Sequence, residues 1–217
     1  MYLHLELKAV PNDRLTEGIE RLNDMHNLMA QTPGFHEAQM WRYLGAPGQY
    51  LIVRTWQDAD AHQAYRDTPA AKSFSVGRAT PMPYKNLVVQ HWDEVVRSPG
   101  DASGDFMVRS LHNVGAGSDD TYLDSRRQRD ALATKAGGVV DVRTYRPLTG
   151  IDDVTEALVL ERRTDRAGYD ALLESAASND YEASVASTLY TTALVECYQL
   201  VQEVLPARVD GVAVVQP

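Results

Sequence analysis

Three side chains around the end of one predicted strand have types and spacing suited to acid–base chemistry on an aromatic molecule. Arg54 and Trp56 share one face of the strand 50–56 if side chains alternate. His62 follows in the next helix, and an imidazole can accept a proton near neutral pH. The guanidinium could hold a phenolate and the indole could stack on a planar ring. The structural alternatives are a core tryptophan and a surface histidine.

Other polar and aromatic residues could line a pocket beside these three. The candidates are His4, Trp41, Tyr43, Tyr65, Arg78 and His91. Leu3, Leu5 and Leu7 are predicted to pack against the helices, which places His4 on the opposite face, toward a barrel interior. Arg78 lies in the segment 69–83, which is predicted to be partly irregular. Such a segment could close over a cavity or simply connect two elements.

The order of predicted elements positions these residues in the first half of the chain. A strand over 2–8 precedes a helix with apolar residues at helical spacing, which stops near residues 32–34. A hairpin follows over 35–43 and 50–56. Asp58 caps a second helix that runs to about Tyr65, and a strand over 86–92 closes the half. This order is β-α-β-β-α-β.

The second half repeats the same order of elements. Its strands are predicted at 106–113, 139–146, 157–162 and within 192–203, and its helices at about 119–135 and 166–174. Superimposing residues 50–54 on 157–161 brings Asp58 onto Asp165 at the same helix cap. This repetition indicates duplication of one unit. The predicted domains are 1–97 and 106–217, joined by a linker at 98–105 that is rich in Pro, Gly and Ser.

A repeated βαββαβ unit predicts an α+β fold made of two tandem ferredoxin-like units. Each unit has both helices on one face of a four-stranded antiparallel sheet and leaves the other face uncovered. We therefore expect the two sheets to pack face to face as a pseudo-dimeric α+β barrel. The chain would be a monomer with internal pseudo-twofold symmetry or would form a homodimer.

Composition and charge exclude several classes of function. The chain of 217 residues carries 21 Lys and Arg against 30 Asp and Glu, and its net charge of −9 disfavours nucleic acid. No apolar run reaches the roughly 18 residues that cross a bilayer, so no membrane partner is expected. The alternating N-terminus is predicted to be a strand rather than a signal peptide. Cys197 is the only cysteine, which fits a reducing cytoplasm and excludes thiolate clusters.

The first half resembles the antibiotic biosynthesis monooxygenase family of the dimeric α+β barrel superfamily. The similarity lies in Pro33-Gly34-Phe35 after the first helix, in the strand 50–56, and in Trp56 followed by the acidic cap Asp58. It covers roughly residues 1–96. The second half keeps the layout but has Arg163 at the tryptophan position, so it resembles a degenerate copy. One active cavity is therefore expected, in the first half, with the second half mainly covering its sheet.

The resemblance implies oxygenation of a phenol or quinol, often a polyketide of secondary metabolism, by O2 without a metal or flavin cofactor. Such chemistry needs a base, hydrogen-bond donors for the oxyanion, and walls that exclude water. Quinone-forming relatives carry an asparagine four residues before the tryptophan, where this chain has Ile52. Their tyrosine six residues after the tryptophan corresponds to His62, and their downstream arginine corresponds loosely to Arg78.

Haem and metal sites are disfavoured by the positions of the histidines. A haem-binding relative would carry a histidine where this chain has Arg66, and His112 is predicted at a strand end rather than on a helix. His36, His91 and Asp93 lack short metal-ligand spacing. Two other functions remain open: a polyketide cyclase or isomerase, and a protein that binds a hydrophobic aromatic intermediate without changing it. The missing asparagine favours the binding protein.

Overall fold

The chain forms two compact units in a computed structural model that describes residues 1–75, 82–115, 117–148, 155–186 and 189–206. The first unit comprises the described residues within 1–40, 48–89 and 201–206. The second unit comprises the described residues within 41–47 and 90–200. The described helices are all too short or too polar to cross a lipid bilayer.

The elements of the first half follow the predicted β-α-β-β-α-β order. They are β1 (Tyr2–Ala9), α1 (Leu15–Met29), β2 (Phe35–Tyr43), β3 (Gln49–Trp56), α2 (Ala59–Asp67), α3 (Pro69–Ser75) and β4 (Lys85–Pro99). Strand β3 lies between β1 and β2. Strand β4 continues seven residues beyond the predicted end at Trp92.

Helix α3 lies in the segment 69–83, which the sequence predicted to be partly irregular; residues 76–81 of that segment lie outside the described residues. The backbone N–H of Ala71 donates to Thr68 Oγ1 at 3.1 Å, so Thr68 caps this short helix. Pro69 occupies the first helical position, where its missing N–H costs nothing. The Thr68-Pro69 pair was therefore a readable helix start that the pattern of apolar residues did not reveal.

The second half repeats this order, as the sequence predicted. Its elements are β5 (Phe106–Val114), α4 (Asp119–Ala136), β6 (Val139–Pro147), β7 (Thr155–Arg163), α5 (Arg166–Glu174), α6 (Ala176–Tyr181), a π-helical turn (Glu182–Ala186) and β8 (Tyr190–Val204). Strand β7 pairs antiparallel with both β5 and β6. The α+β class and the tandem ferredoxin-like arrangement are confirmed.

Strand register makes the equivalence of the two halves explicit. In the first half Tyr2 lies opposite Trp56, and in the second half Phe106 lies opposite Arg163. The two helix caps also match: Asp58 accepts from the N–H of Ala61 at 2.8 Å, and Asp165 accepts from that of Gly168 at 2.8 Å. Both aspartates therefore hold the same position in the repeated unit, as predicted.

We expect Asp58→Ala and Asp165→Ala each to destabilise the protein by about 1 kcal/mol, because each removes a side-chain cap from a short helix. In thermal unfolding this corresponds to a decrease of about 2–4 °C in Tm. Asp60→Ala is the control, since Asp60 lies in the first turn of α2 without capping it. Equal effects of Asp58→Ala and Asp60→Ala would contradict the capping role.

The helices of the first unit cover the sheet face that carries Tyr2 and Trp56. Both residues pack in one buried cluster with Met29 of α1 and Tyr65 of α2. Since side chains alternate, His4, Glu6 and Arg54 share this face. The prediction that Leu3, Leu5 and Leu7 face the helices and His4 faces away was wrong. Alternation alone does not say which face a helix covers, and here the polar residues are buried because they pair with one another.

A glycine with positive φ joins the first helix of each half to the strand that follows. Gly34 precedes β2 with φ +79°, and Gly138 precedes β6 with φ +71°. A Cβ on Gly34 would lie 2.6 Å from the Cβ of Ala61, which is closer than real Cβ atoms approach. The left-handed backbone and the lack of space both require glycine at position 34.

Candidate functional site

The centre of the first unit is a buried charge network around Glu6. Arg54 Nη1 donates to Glu6 Oε2 at 2.6 Å, and Lys8 Nζ lies 3.1 Å from the same oxygen. His4 Nε2 lies 3.4 Å from Glu6 Oε1. The side chains of Arg54 and Lys8 are only 3% and 2% exposed. Strands β1 and β3 thus place these groups between the sheet and the helices.

His26 of α1 completes this network from the helix side. Arg54 Nε donates to His26 Nε2 at 3.2 Å, so that nitrogen carries no proton. Burial holds the pKa of His26 well below its ordinary value, and the charge of Arg54 lowers it further. The imidazole is therefore neutral at pH 7, with its proton on Nδ1.

Among the described residues, the network contains two cations, Arg54 and Lys8, and one carboxylate, Glu6. Burial alone would raise the pKa of Glu6, but Arg54, His4 and Lys8 together hold it far below its ordinary value, so Glu6 is ionised. Burial lowers the pKa of Lys8 to about 8, against the attraction of Glu6. Lys8 also donates to Asn86 Oδ1 at 2.6 Å. With Arg54 and Lys8 protonated, the buried layer carries an excess positive charge.

An aromatic cluster lies next to this network. The ring of Trp56 contacts those of Phe35, His62 and Tyr65, with centroid distances of 5.2, 5.5 and 5.4 Å. The His62 ring also lies 4.7 Å from that of His4. His62 is 5% exposed, so the surface-histidine alternative was wrong. The structure therefore brings together five of the predicted site residues: Arg54, Trp56, His62, His4 and Tyr65.

Three buried N–H groups in this layer have no hydrogen-bond partner among the described residues. They are Trp56 Nε1, Arg54 Nη2 and His26 Nδ1. A buried donor without an acceptor costs about 1–3 kcal/mol. An oxygen atom of a bound molecule would satisfy such donors, so these groups mark the place where a ligand oxygen would be stabilised.

The other predicted lining residues lie elsewhere. Trp41, Tyr43 and His91 belong to the second unit. There the Trp41 ring lies 5.5 Å from the guanidinium of Arg162, and Tyr43 contacts Tyr198 at 5.2 Å between ring centroids. Arg78 lies outside the described residues.

Lys8 and His26 were missed as members of the site. Lys8 continues the alternating run of Tyr2, His4 and Glu6, so the face of β1 that carries His4 could have indicated it. His26 lies four residues after Leu22 on the buried stripe of α1. A histidine within an apolar helical stripe was a readable signal of a buried polar partner.

Within the part of the chain that the structure describes, no group of three or more His, Cys, Asp or Glu side chains could hold a metal ion. The geometry instead defines a tandem ferredoxin-like α+β protein whose first unit buries polar and aromatic groups beneath its helices. Residues 1–76 match the model of the family described as antibiotic biosynthesis monooxygenase. The resemblance of the first half to that family is therefore confirmed over these residues.

Solved structures share the fold of the whole chain at low sequence identity. A candidate monooxygenase from Fusobacterium nucleatum is 14% identical, with a TM-score of 0.72 and 94% of each chain covered. An anthrone oxidase-like protein is 12% identical with a TM-score of 0.65, covering 98% of this chain and 96% of that one. A haem-degrading enzyme from Listeria monocytogenes is 7% identical with a TM-score of 0.51, covering 90% of this chain and 98% of its own. No curated protein matches the sequence.

Proposed function

We propose that the first unit is a cofactor-independent monooxygenase that oxidises a phenolic or quinol-type aromatic compound with O2. The observation that carries this proposal is the buried layer of Arg54, Lys8 and Glu6, which has one more cation than anions. Such a layer favours a bound anion over its neutral form. A phenol or quinol bound there is therefore held as the phenolate, which is the form that reduces O2.

Two unpartnered donors could stabilise the oxyanion in place of the asparagine that quinone-forming relatives carry at the position of Ile52. Ile52 is fully buried among apolar residues and offers no donor. Trp56 Nε1 and Arg54 Nη2 lie on the same strand face and lack partners among the described residues. Preorganised donors of this kind stabilise negative charge as it develops on oxygen.

The proposed reaction balances with O2 as the only oxidant. His62 accepts a proton from the bound substrate, and the carbanion–phenolate transfers one electron to O2. Recombination forms a C–O bond, and loss of water leaves a carbonyl, so a CH2 group and O2 become C=O and H2O. The residues that would act are Arg54 and Trp56 on the oxygen atoms and His62 as the base. No metal or flavin takes part in this proposal.

We expect Trp56→Phe to reduce the rate of O2 uptake with anthrone between about tenfold and a hundredfold, because it keeps the aromatic ring but removes a hydrogen bond to a charged oxygen. The assay uses metal-free and flavin-free buffer. Trp92→Phe is the matched control, since Trp92 is a buried tryptophan of the second unit whose Nε1 also lacks a described partner.

The outcome that opposes the proposal is absence of O2 uptake over a panel of anthrones, quinols and naphthols. Product mass then separates the alternatives, because oxidation of a CH2 group to C=O adds about 14 Da whereas cyclisation loses water or nothing. Tight binding of an aromatic compound without turnover would indicate a binding protein. The single thiol of Cys197 supports a reducing cytoplasm as the proposed location.

A further inference from the structure

We propose that the second unit has a ligand site of its own, for a planar aromatic carboxylate. From the sequence, the second half was expected mainly to cover the sheet of the first half. Its residues lie outside the family match at 1–76. The proposed site shares no residue with the oxidation site of the first unit. The two proposals can therefore fail independently.

The site is a cavity of about 450 Å³ between the sheet and the helices of the second unit. Strands β5, β7 and β8 supply Ser110, Val159 and Cys197, and helices α4 and α5 supply Arg129 and Tyr169. This volume falls within the range of about 300–1,000 Å³ that is typical of small-molecule sites. A bicyclic aromatic acid would fit it.

The cavity exists because smaller or differently shaped residues replace the network of the first unit. By strand register, Ser110 takes the place of Glu6 and His112 takes that of Lys8. Glu161 takes the place of Arg54; it lines the cavity, and its charge is paired with Arg163 at 2.5 Å. The space filled by the ion network in one unit is therefore open in the other.

Arg129 is the group that would bind the carboxylate. It is 5% exposed, and its Nη1 has no hydrogen-bond partner among the described residues. Its nearest described carboxylate, Glu182, is 3.9 Å from Nε and 48% exposed. The other two arginines of the cavity have closer acids, with Arg126 at 2.8 Å from Asp130 and Arg166 at 3.3 Å from Asp170. Arg129 thus retains a buried donor that no described residue satisfies.

The cavity walls favour a planar ring. His112 stacks on Tyr190 with 4.3 Å between centroids and 12° between ring planes. Burial and the charge of Arg126 lower the pKa of His112 to about 3, so this wall is neutral at pH 7. Leu173 and Val159 provide apolar surface in the same cavity. An aromatic ring can pack against these walls while its carboxylate reaches Arg129.

The test measures binding of 2-naphthoate to the full-length protein by calorimetry. We expect one 2-naphthoate per chain, at least tenfold weaker binding of the uncharged 2-naphthamide, and at least tenfold weaker binding of 2-naphthoate to Arg129→Gln. Arg127→Gln is the matched control, because Arg127 lies on the same helix and is exposed. We expect its affinity to equal that of the wild type. Leu173→Trp gives a second variant that obstructs the cavity at a residue already 42% exposed.

Cys197 provides an independent readout, since the only thiol of the chain lines this cavity. Burial raises its pKa, so alkylation by iodoacetamide is followed at about pH 9, near the ordinary range of thiol ionisation. Bound 2-naphthoate is expected to slow alkylation in the wild type and not in Leu173→Trp. The proposal is overturned if saturating 2-naphthoate leaves alkylation unchanged, or if Arg127→Gln weakens binding as much as Arg129→Gln. Neither readout depends on O2 uptake by the first unit.

Discussion

Replacing Glu6 by glutamine is expected to lower the Tm of the protein by about 6–20 °C. The substitution keeps the shape of the side chain but removes the one carboxylate from between Arg54 and Lys8. Removing one partner of a buried ion pair costs about 3–5 kcal/mol, because the remaining charge stays buried without compensation. Each kcal/mol shifts Tm by about 2–4 °C in a chain of this size.

Glu17→Gln is the control for this experiment. Glu17 pairs with Arg14 at 2.8 Å, almost as closely as Glu6 pairs with Arg54 at 2.6 Å, but on the surface. An exposed pair is screened by water, so we expect no measurable change in Tm. The double variant Glu6→Gln with Lys8→Met removes one of the two uncompensated cations and should recover part of the loss. If Glu6→Gln and Glu17→Gln behave alike, the buried network does not stabilise the fold.

Acidification is expected to destabilise the protein from about pH 6.5 downward, and His112 should account for a large share. Its pKa falls from 6.5 to about 3 in the folded protein because of burial, with a further contribution from Arg126. Below pH 6.5 His112 binds a proton in the unfolded chain but stays neutral in the folded chain until the pH approaches 3. The contribution of His112 to stability is therefore fully present above pH 6.5 and is lost as the pH falls toward 3, by on the order of 4 kcal/mol in total.

His112→Asn tests this assignment by measuring the free energy of unfolding between pH 7 and pH 4. Asparagine can retain a polar contact with the Tyr122 hydroxyl, which lies 2.8 Å from Nδ1 of His112, but it does not titrate. The variant should be less stable at pH 7 and show a shallower decline with acid. His26→Gln should flatten the decline as well, since the pKa of His26 is also lowered. His36→Asn, at an exposed strand position, is the control, and an unchanged slope in His112→Asn would refute the assignment.

The order of elements could be predicted because each one carries a local signal. Period-2 runs of apolar residues indicate the strands, and Asp58 and Asp165 indicate equivalent helix starts through their position just after a strand. Helix α3 and its counterpart α6 were not predicted. Each is only six or seven residues long and begins at a hydroxyl cap, Thr68 or Ser175, so it contains too few apolar residues to show a helical period.

The candidate site was predictable only in part. Which residues share a strand face follows from neighbouring positions in the sequence, whereas burial depends on residues that are distant in the sequence. Arg54 and Trp56 were placed on one face by alternation alone. The helices cover this face because of how α1 packs against the sheet. The alternation of residues along a strand gives no information about that packing. His26 joins Arg54 across 28 positions of sequence, and only the fold reveals that contact. The cavity of the second unit was missed for the same reason, since its volume is the space that side chains from several strands and helices do not fill.

The two glycines at positions 34 and 138 tolerate substitution less well than the buried residues beside them. A backbone with positive φ tolerates almost no other residue at these junctions, whichever chemistry the unit performs. The buried layer beside each junction is free of that restriction, and the two halves fill it with different residues, such as Lys8 in one and His112 in the other. A chain built from two copies of one unit can therefore acquire a new ligand preference in one copy while the path of its backbone stays fixed in both.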